Sequence, residues 1–267
     1  MKNFDSSHLR KTVLDMAYLG ATVHIPCAYS IIELCAVIYE KFLNLGESAE
    51  DPNRDIFALS KGHGVMAVYA CLKEIGYLQS EHFTKYFKDG SQLKGLSDVH
   101  VPGLEVTSGS LGHGLPVAVG MALGAKIKKT NQKVYCIVGD GESNEGTIWE
   151  ALLFAAHWKL NNLIVIFDCN GYQAMGATED IMNLNSMKKK LEAFNFETLE
   201  IDGHDRLVIE NSITHLNNSV DTKPKAIIAN TVKGKGVSFM HAKNEWHYTR
   251  LNPETYKAAL AELGYTT

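Results

Sequence analysis

The sequence predicts an α/β fold: a parallel, twisted sheet with helices on both faces. Three observations carry that reading. After residue 55, short apolar runs alternate with helix-length segments. Two of those runs, Tyr135–Val138 and Leu163–Phe167, have the length and composition of buried strands. Glycine-rich motifs follow the strand ends, where open α/β sheets bind ligands.

The elements follow in chain order. Ser7 is placed to cap a first helix whose apolar positions Leu9, Val13, Met16 and Ala17 fall at helical spacing. Ile31 to Phe42 is apolar almost all round and reads as one buried helix. Asp55–Leu59 reads as a short strand running into Ser60-Lys61-Gly62-His63-Gly64, with a helix to about Ile75. Residues 90–114 are the least regular stretch, and their apolar content and close glycines favour a folded ligand loop over disorder. Helix 115–128, strand 133–138, helix 147–158 and strand 163–167 come next. Helix 186–194, strand 197–201, helix 207–216, strand 226–229 and a last helix from about Pro253 to Leu263 complete the pattern. With no repeat, linker or low-complexity tract, residues 1–267 read as one domain.

Composition removes several functional classes. A chain of 267 residues with 45% hydrophobic and 21% charged residues is ordinary for a globular protein. Its net charge of -4 offers no electrostatic case for nucleic acid or an anionic membrane. The polar N-terminus lacks the apolar core of a signal peptide, and no run of about 18 apolar residues is present. Cys27, Cys35, Cys71, Cys136 and Cys169 show no metal-type spacing, so reduced thiols in a cytoplasmic protein are expected.

The most informative segment is Val138-Gly139-Asp140-Gly141-Glu142-Ser143-Asn144-Glu145-Gly146, followed by a helix, a strand and Asn170. Asp140 and Asn170 each sit just past an apolar strand, so neighbouring strands would bring a carboxylate and an amide oxygen together. A hard cation such as Mg²⁺ takes that ligand type, together with backbone carbonyls and the oxygens of a phosphorylated ligand. Gly139 and Gly141 permit a sharp turn and close approach of a diphosphate to backbone N–H groups. Alone, an Asp-Gly pair is equally a turn. Three further motifs change the balance: the Ser60–Gly64 run, Thr107-Ser108-Gly109-Ser110-Leu111-Gly112-His113-Gly114, and Val232-Lys233-Gly234-Lys235-Gly236-Val237-Ser238-Phe239.

With these motifs in this order, the chain resembles the amino-terminal part of transketolase, most closely its separately encoded N-terminal subunit, from the first helix to Trp246-His247 and the closing helix. The resemblance implies the thiamin diphosphate-binding fold, with thiamine diphosphate and Mg²⁺ as cofactors. It implies that Asp140, Asn170 and the Tyr172 carbonyl hold the metal, that Gly141 faces the diphosphate, and that Gly109 and Leu111 touch the aminopyrimidine. His63 and His247 match family histidines near the diphosphate and the reacting carbon; His24 matches a third, without its usual flanking glycines. Such chemistry needs groups that move protons near neutral pH, a task that suits histidine. The glutamate that activates the cofactor belongs, in the family, to a following pyrimidine-binding domain. That domain is absent here and is expected on a partner chain, a C-terminal transketolase-like subunit, in a heterotetramer with Glu145 at an interface.

One departure bears on substrate. The family's loop histidine that contacts the hydroxyl of the transferred two-carbon unit corresponds here to Leu96, with His100 the alternative if the alignment shifts; His113 stands where the family usually has Gln. A buried hydroxyl without a partner costs about 1–3 kcal/mol, roughly tenfold to hundredfold. A methyl group beside Leu96 would gain instead. Two donors therefore stand open: a ketose phosphate giving a ketol unit, and a 2-oxo acid such as pyruvate giving an acetyl-type unit, with an aldehyde or keto acceptor such as a sugar. The altered surroundings of His24 and the lost loop histidine motivate a different class, a non-catalytic cofactor-binding or regulatory subunit, against which the retained Asp140, Asn170, His63 and His247 argue. A nicotinamide dehydrogenase is set aside, because no strand leads into Gly-x-Gly-x-x-Gly with a later acidic residue.

Overall fold

The structure is a computed structural model that describes residues 2–266. Seven strands form: β1 (Ile56–Leu59), β2 (Val134–Gly139), β3 (Leu163–Cys169), β4 (Tyr172–Gln173), β5 (Gly176–Ala177), β6 (Glu197–Asp202) and β7 (Lys225–Asn230). The α-helices are α1 (Ser6–Leu19), α2 (Ile25–Tyr29), α3 (Ile32–Val37), α4 (Val65–Ile75), α5 (Ser80–Thr84) and α6 (Gly114–Lys128), then α7 (Gly146–His157), α8 (Thr178–Met182), α9 (Met187–Ala193), α10 (Arg206–Asn218) and α11 (Pro253–Glu262).

Five strands form a parallel sheet in the order β1-β2-β3-β7-β6, and β4 and β5 make a separate antiparallel hairpin. Alternate side chains of the central strands enter two different cores. Tyr135, Ile137, Ile164, Ile166 and Ile227 join the core built with α1, α3, α4 and α10. Val134, Cys136, Val138, Val165 and Phe167 join the core built with α6, α7 and α9. Both faces are thus covered, as a parallel sheet requires.

Several expected boundaries move for local reasons. The first helix is capped by Asp5, whose carboxylate accepts from the His8 N–H, and not by Ser7, whose hydroxyl donates to the Leu263 carbonyl. The stretch 31–42 is not one uniform helix: α3 passes into a π-helical turn at Ile38–Phe42. Helix α2, with Pro26 in its first turn, and the β4–β5 hairpin carry no periodicity long enough to be seen in sequence. Among the described residues, no helix is long and apolar enough to cross a membrane.

Candidate active site

The carboxyl ends of β1, β2, β3 and β7 open on one side of the sheet. Gly139 pairs with Asp168, which puts the loops after β2 and β3 side by side. Asp140 reaches across that seam: one oxygen accepts from the Gly141 N–H and the other from the Gly171 N–H, both at 2.7 Å. Asn170 donates from Nδ2 to Asp168 at 3.0 Å and accepts at Oδ1 from the Tyr172 N–H at 3.1 Å. No group of three or more His, Cys, Asp or Glu able to hold a metal is present among the described residues. Any cation here would rest on one carboxylate, an amide oxygen and a backbone carbonyl, a hard-oxygen set that suits Mg²⁺ completed by ligand oxygens. Burial first, and then the neighbouring Asp168 charge, push the Asp140 carboxyl up to about 6, as befits a carboxylate whose countercharge is yet to arrive.

A cavity of about 290 Å³ lies over these loops. His24, His63, Leu96, Gly109, Leu111, Asp140, Gly141, Asn170, Tyr172 and His247 all line it, so residues from six separate segments meet at one place. At Gly141 a Cβ would come within 2.6 Å of Gln173 Cβ, so only glycine fits that approach. Gln173, also on the wall, holds a buried amide nitrogen with no protein partner, which suits an oxygen-rich ligand.

The three imidazoles form a cluster with ring centres 5.1 to 5.9 Å apart. Burial, then the charges of Lys233 and Lys61, push the His24 ring down to about 4. Burial and Lys233 push His247 down to about 3, and burial and Lys61 hold His63 well below the usual histidine range. All three are neutral at pH 7 and can accept a proton. Lys233, itself lowered by burial, donates to His247 Nδ1 at 2.8 Å and leaves the His247 proton on Nε2.

Beneath the cavity sits an ion pair the motifs did not announce. Lys61 Nζ bonds Asp168 and the Cys27 carbonyl, while Ser30, Thr231 and Asn170 donate to the same Asp168 carboxylate. Burial alone would raise Asp168, but Lys61 more than offsets it and holds the carboxyl below its usual range. Glu142 accepts from the Ser60 hydroxyl and from the Gly112 and Gly139 N–H groups, tying the long loop to the end of β2. Lys61 and Lys233 both lie inside quoted motifs, so the signal was present; a lysine in a glycine-rich loop simply reads as exposed.

Three sequence candidates fall outside the cavity. His100 does not replace the missing loop histidine: its ring is 85% exposed and bonded to Asp98, because the Asp98 carboxylate captures both its backbone and its Nδ1. His113 is exposed at the start of α6, and Glu145 is exposed at the start of α7. Leu96 does face the cavity and lies over Gly109, where a Cβ would meet Leu96 Cδ1 at 2.7 Å. Tyr248 was missed; its ring packs 5.1 Å from His24 and 4.8 Å from His247 at the mouth of the cavity.

Residues 6–267 match the family described as "Transketolase, thiamine diphosphate binding domain". An apulose-4-phosphate transketolase subunit from Actinobacillus succinogenes is 40% identical over 95% of this chain and 92% of that protein. The 6-deoxy-6-sulfo-D-fructose transketolase subunit SqwG from a Clostridium species is 37% identical over 96% of this chain and 93% of its own length. Among solved structures, transketolase from Campylobacter jejuni superposes with a TM-score of 0.91 at 29% identity, and that from Leishmania mexicana with 0.89 at 28%. Each covers 98% of this chain, which spans only 42% and 41% of those two chains. The resemblance read from the motifs is therefore correct, and the α/β fold is that of transketolase N-terminal domains. The chain belongs to the transketolase family, as its thiamine diphosphate binding domain.

Proposed function

We propose that this chain is a single-domain subunit of a transketolase-like transferase that moves a two-carbon ketol unit between sugars carrying an anionic end group. The observation that carries the reading is the convergence, in one cavity, of the Asp140, Asn170 and Tyr172 oxygens with three neutral histidines. Two relatives are named for sugars that carry a phosphate or a sulfonate, and both are named as subunits. A C-terminal transketolase-like subunit with the pyrimidine-binding domain, in a heterotetramer, would complete the site, with Glu145 at the interface.

Thiamine diphosphate, held through Mg²⁺ by Asp140, Asn170 and the Tyr172 carbonyl, would supply a carbon nucleophile and an electron sink. This chain's part is to bind, orient and move protons. Gly141 leaves room for the diphosphate, and Gly109 and Leu111 bound the aminopyrimidine side of the cavity. His24, His63 and His247, neutral through burial and nearby lysines, take a proton from a substrate hydroxyl and return it. Lys233 fixes the His247 tautomer, so Nε2–H is its donor and the ring must turn or exchange partners to accept.

Leu96 on the cavity wall favours a second reading, in which the donor is a 2-oxo acid such as pyruvate. No protein hydrogen bond for a C1 hydroxyl can come from that side chain, and a methyl group is welcome there. The complex with its partner subunit is to be offered xylulose 5-phosphate and pyruvate separately. Turnover of the ketose supports ketol transfer; turnover of pyruvate alone replaces it with acyl transfer.

A further inference from the structure

A second cavity, of about 690 Å³, adjoins the first, and His24 and Leu96 line both. Its size lies within the ~300–1,000 Å³ common for small-molecule sites and far exceeds what a two-carbon unit requires. Its walls include Val23, Phe87, Leu93 and Leu96, and Arg250 reaches its rim.

Two features separate this cavity from an incidental groove. The first is backbone strain. Ala21, His24 and Phe87, all on its wall, have φ of 48°, 69° and 58°, and only eight non-glycine residues among those described have positive φ. Left-handed conformations at residues with side chains persist where the surroundings enforce them, and they cluster at ligand sites. For Phe87 the enforcing contacts are visible: its N–H donates to the Leu93 carbonyl at 3.1 Å, and its ring fills the space over Gly95.

The second feature is charge. Lys94 is tied to Asp98, and Lys88 Nζ donates to the Thr84 carbonyl at 3.0 Å. Arg250 has no ion-pair or hydrogen-bond partner among the described residues, and it follows His247 by three positions. A free guanidinium at the edge of an otherwise apolar pocket has the geometry to grip a tetrahedral oxyanion with two parallel N–H bonds.

We infer that this second cavity receives the part of the sugar beyond the bond being made or broken, with Arg250 holding the phosphate or sulfonate at its end. The inference rests on the transferase reading above and assigns to this chain the recognition of the substrate's anionic tail. Phe87 and Leu93 would pack against the sugar's carbon chain, and Leu96 would mark the passage between the transferred unit and the tail.

The test uses the assembled two-subunit complex with D-xylulose 5-phosphate and D-xylulose, each with an unphosphorylated aldehyde acceptor. Arg250→Met should raise KM for the phosphorylated donor roughly tenfold to hundredfold, the loss expected of a hydrogen bond to a charged group. Its effect on D-xylulose should be at least about tenfold smaller, with Arg250→Lys intermediate and Phe87→Ala impairing both sugars. Equal losses on the two donors, or no loss on either, overturn the assignment. Weaker association between the two chains with unchanged donor selectivity also overturns it, since the cavity would then hold a segment of the partner. Calorimetric binding of the two sugars and of inorganic phosphate needs no turnover. Binding that depends on Arg250 without two-carbon transfer would leave the subsite standing and remove the transferase reading; failure of both sugars to bind the unaltered complex overturns the subsite.

Discussion

Replacing Lys61 by Met removes an ammonium from a place where water cannot substitute for it. Lys61 is 1% exposed and Asp168 is not exposed at all. The Lys61→Met side chain keeps the length of the stem but leaves the Asp168 carboxylate with only Ser30, Thr231 and Asn170 as donors. Breaking a buried pair by removing one partner costs about 3–5 kcal/mol. At a urea m-value of about 3 kcal/mol/M, that lowers the unfolding midpoint by about 1 M or more. Adding Asp168→Asn removes the stranded charge, so the double variant should be more stable than the sum of the singles by about 1–3 kcal/mol. The dependence on pH has a defined sign. The folded carboxyl of Asp168 lies below its unfolded value, so its contribution is present above about pH 4 and fades as pH falls through the folded value. Urea unfolding of the wild type, both singles and the double at pH 7 and pH 4 gives all the terms. A Lys61→Met loss below about 0.5 kcal/mol, or strictly additive singles, refutes the claim that this pair underpins the site.

Other perturbations reach the chemistry more directly. Leu96→His should raise the ratio of ketose to pyruvate turnover by roughly tenfold to hundredfold, measured as kcat/KM for each donor in the complex; an unchanged ratio removes Leu96 as a determinant. Mg²⁺ affinity should fall by up to about tenfold per pH unit below about 6, because the Asp140 carboxyl then holds a proton in the fold, and a pH-independent affinity between pH 5 and 7 contradicts its role. His204 accepts from the Val232 N–H and bonds Glu33, whose other oxygen is held by Arg10, and Arg10 in turn donates to the Lys235 carbonyl. This buried strap fixes the loop that carries Lys233. His204→Ala should cost roughly 1–3 kcal/mol in urea unfolding and shift the pH profile of turnover, whereas a stability loss with an unmoved profile limits the strap to folding.

How far the sequence could be read depended on what each residue's surroundings had to reveal. The sheet was legible because β2 and β3 are apolar on both faces, a pattern that a parallel sheet between two helical layers imposes. Asp140 and Asn170 were legible as a pair because strand ends in such a sheet converge, and the Gly139–Asp168 register brings their loops together. Lys61, Lys233 and Asp168 were not recognised, since a buried charge reads like any exposed one until its partner, 107 residues away for Lys61, is seen. His100 misled for the opposite reason: a histidine close in sequence to the right position turns outward when a neighbouring aspartate holds its ring. Tyr248 and Arg250 gave no periodic or spacing signal, because both follow a short 3₁₀ turn whose direction only the packed structure defines.

Everything proposed for the site depends on Asp140 and Asn170 holding a metal that in turn holds thiamine diphosphate. Calorimetric titration of thiamine diphosphate into the complex, with and without Mg²⁺, tests this most directly. Binding is expected to require Mg²⁺ and to weaken about a hundredfold or more in Asp140→Ala, since even outer-shell partners of a metal contribute ~10–100-fold. Equal binding in Asp140→Ala and the wild type, or binding indifferent to Mg²⁺, would contradict it.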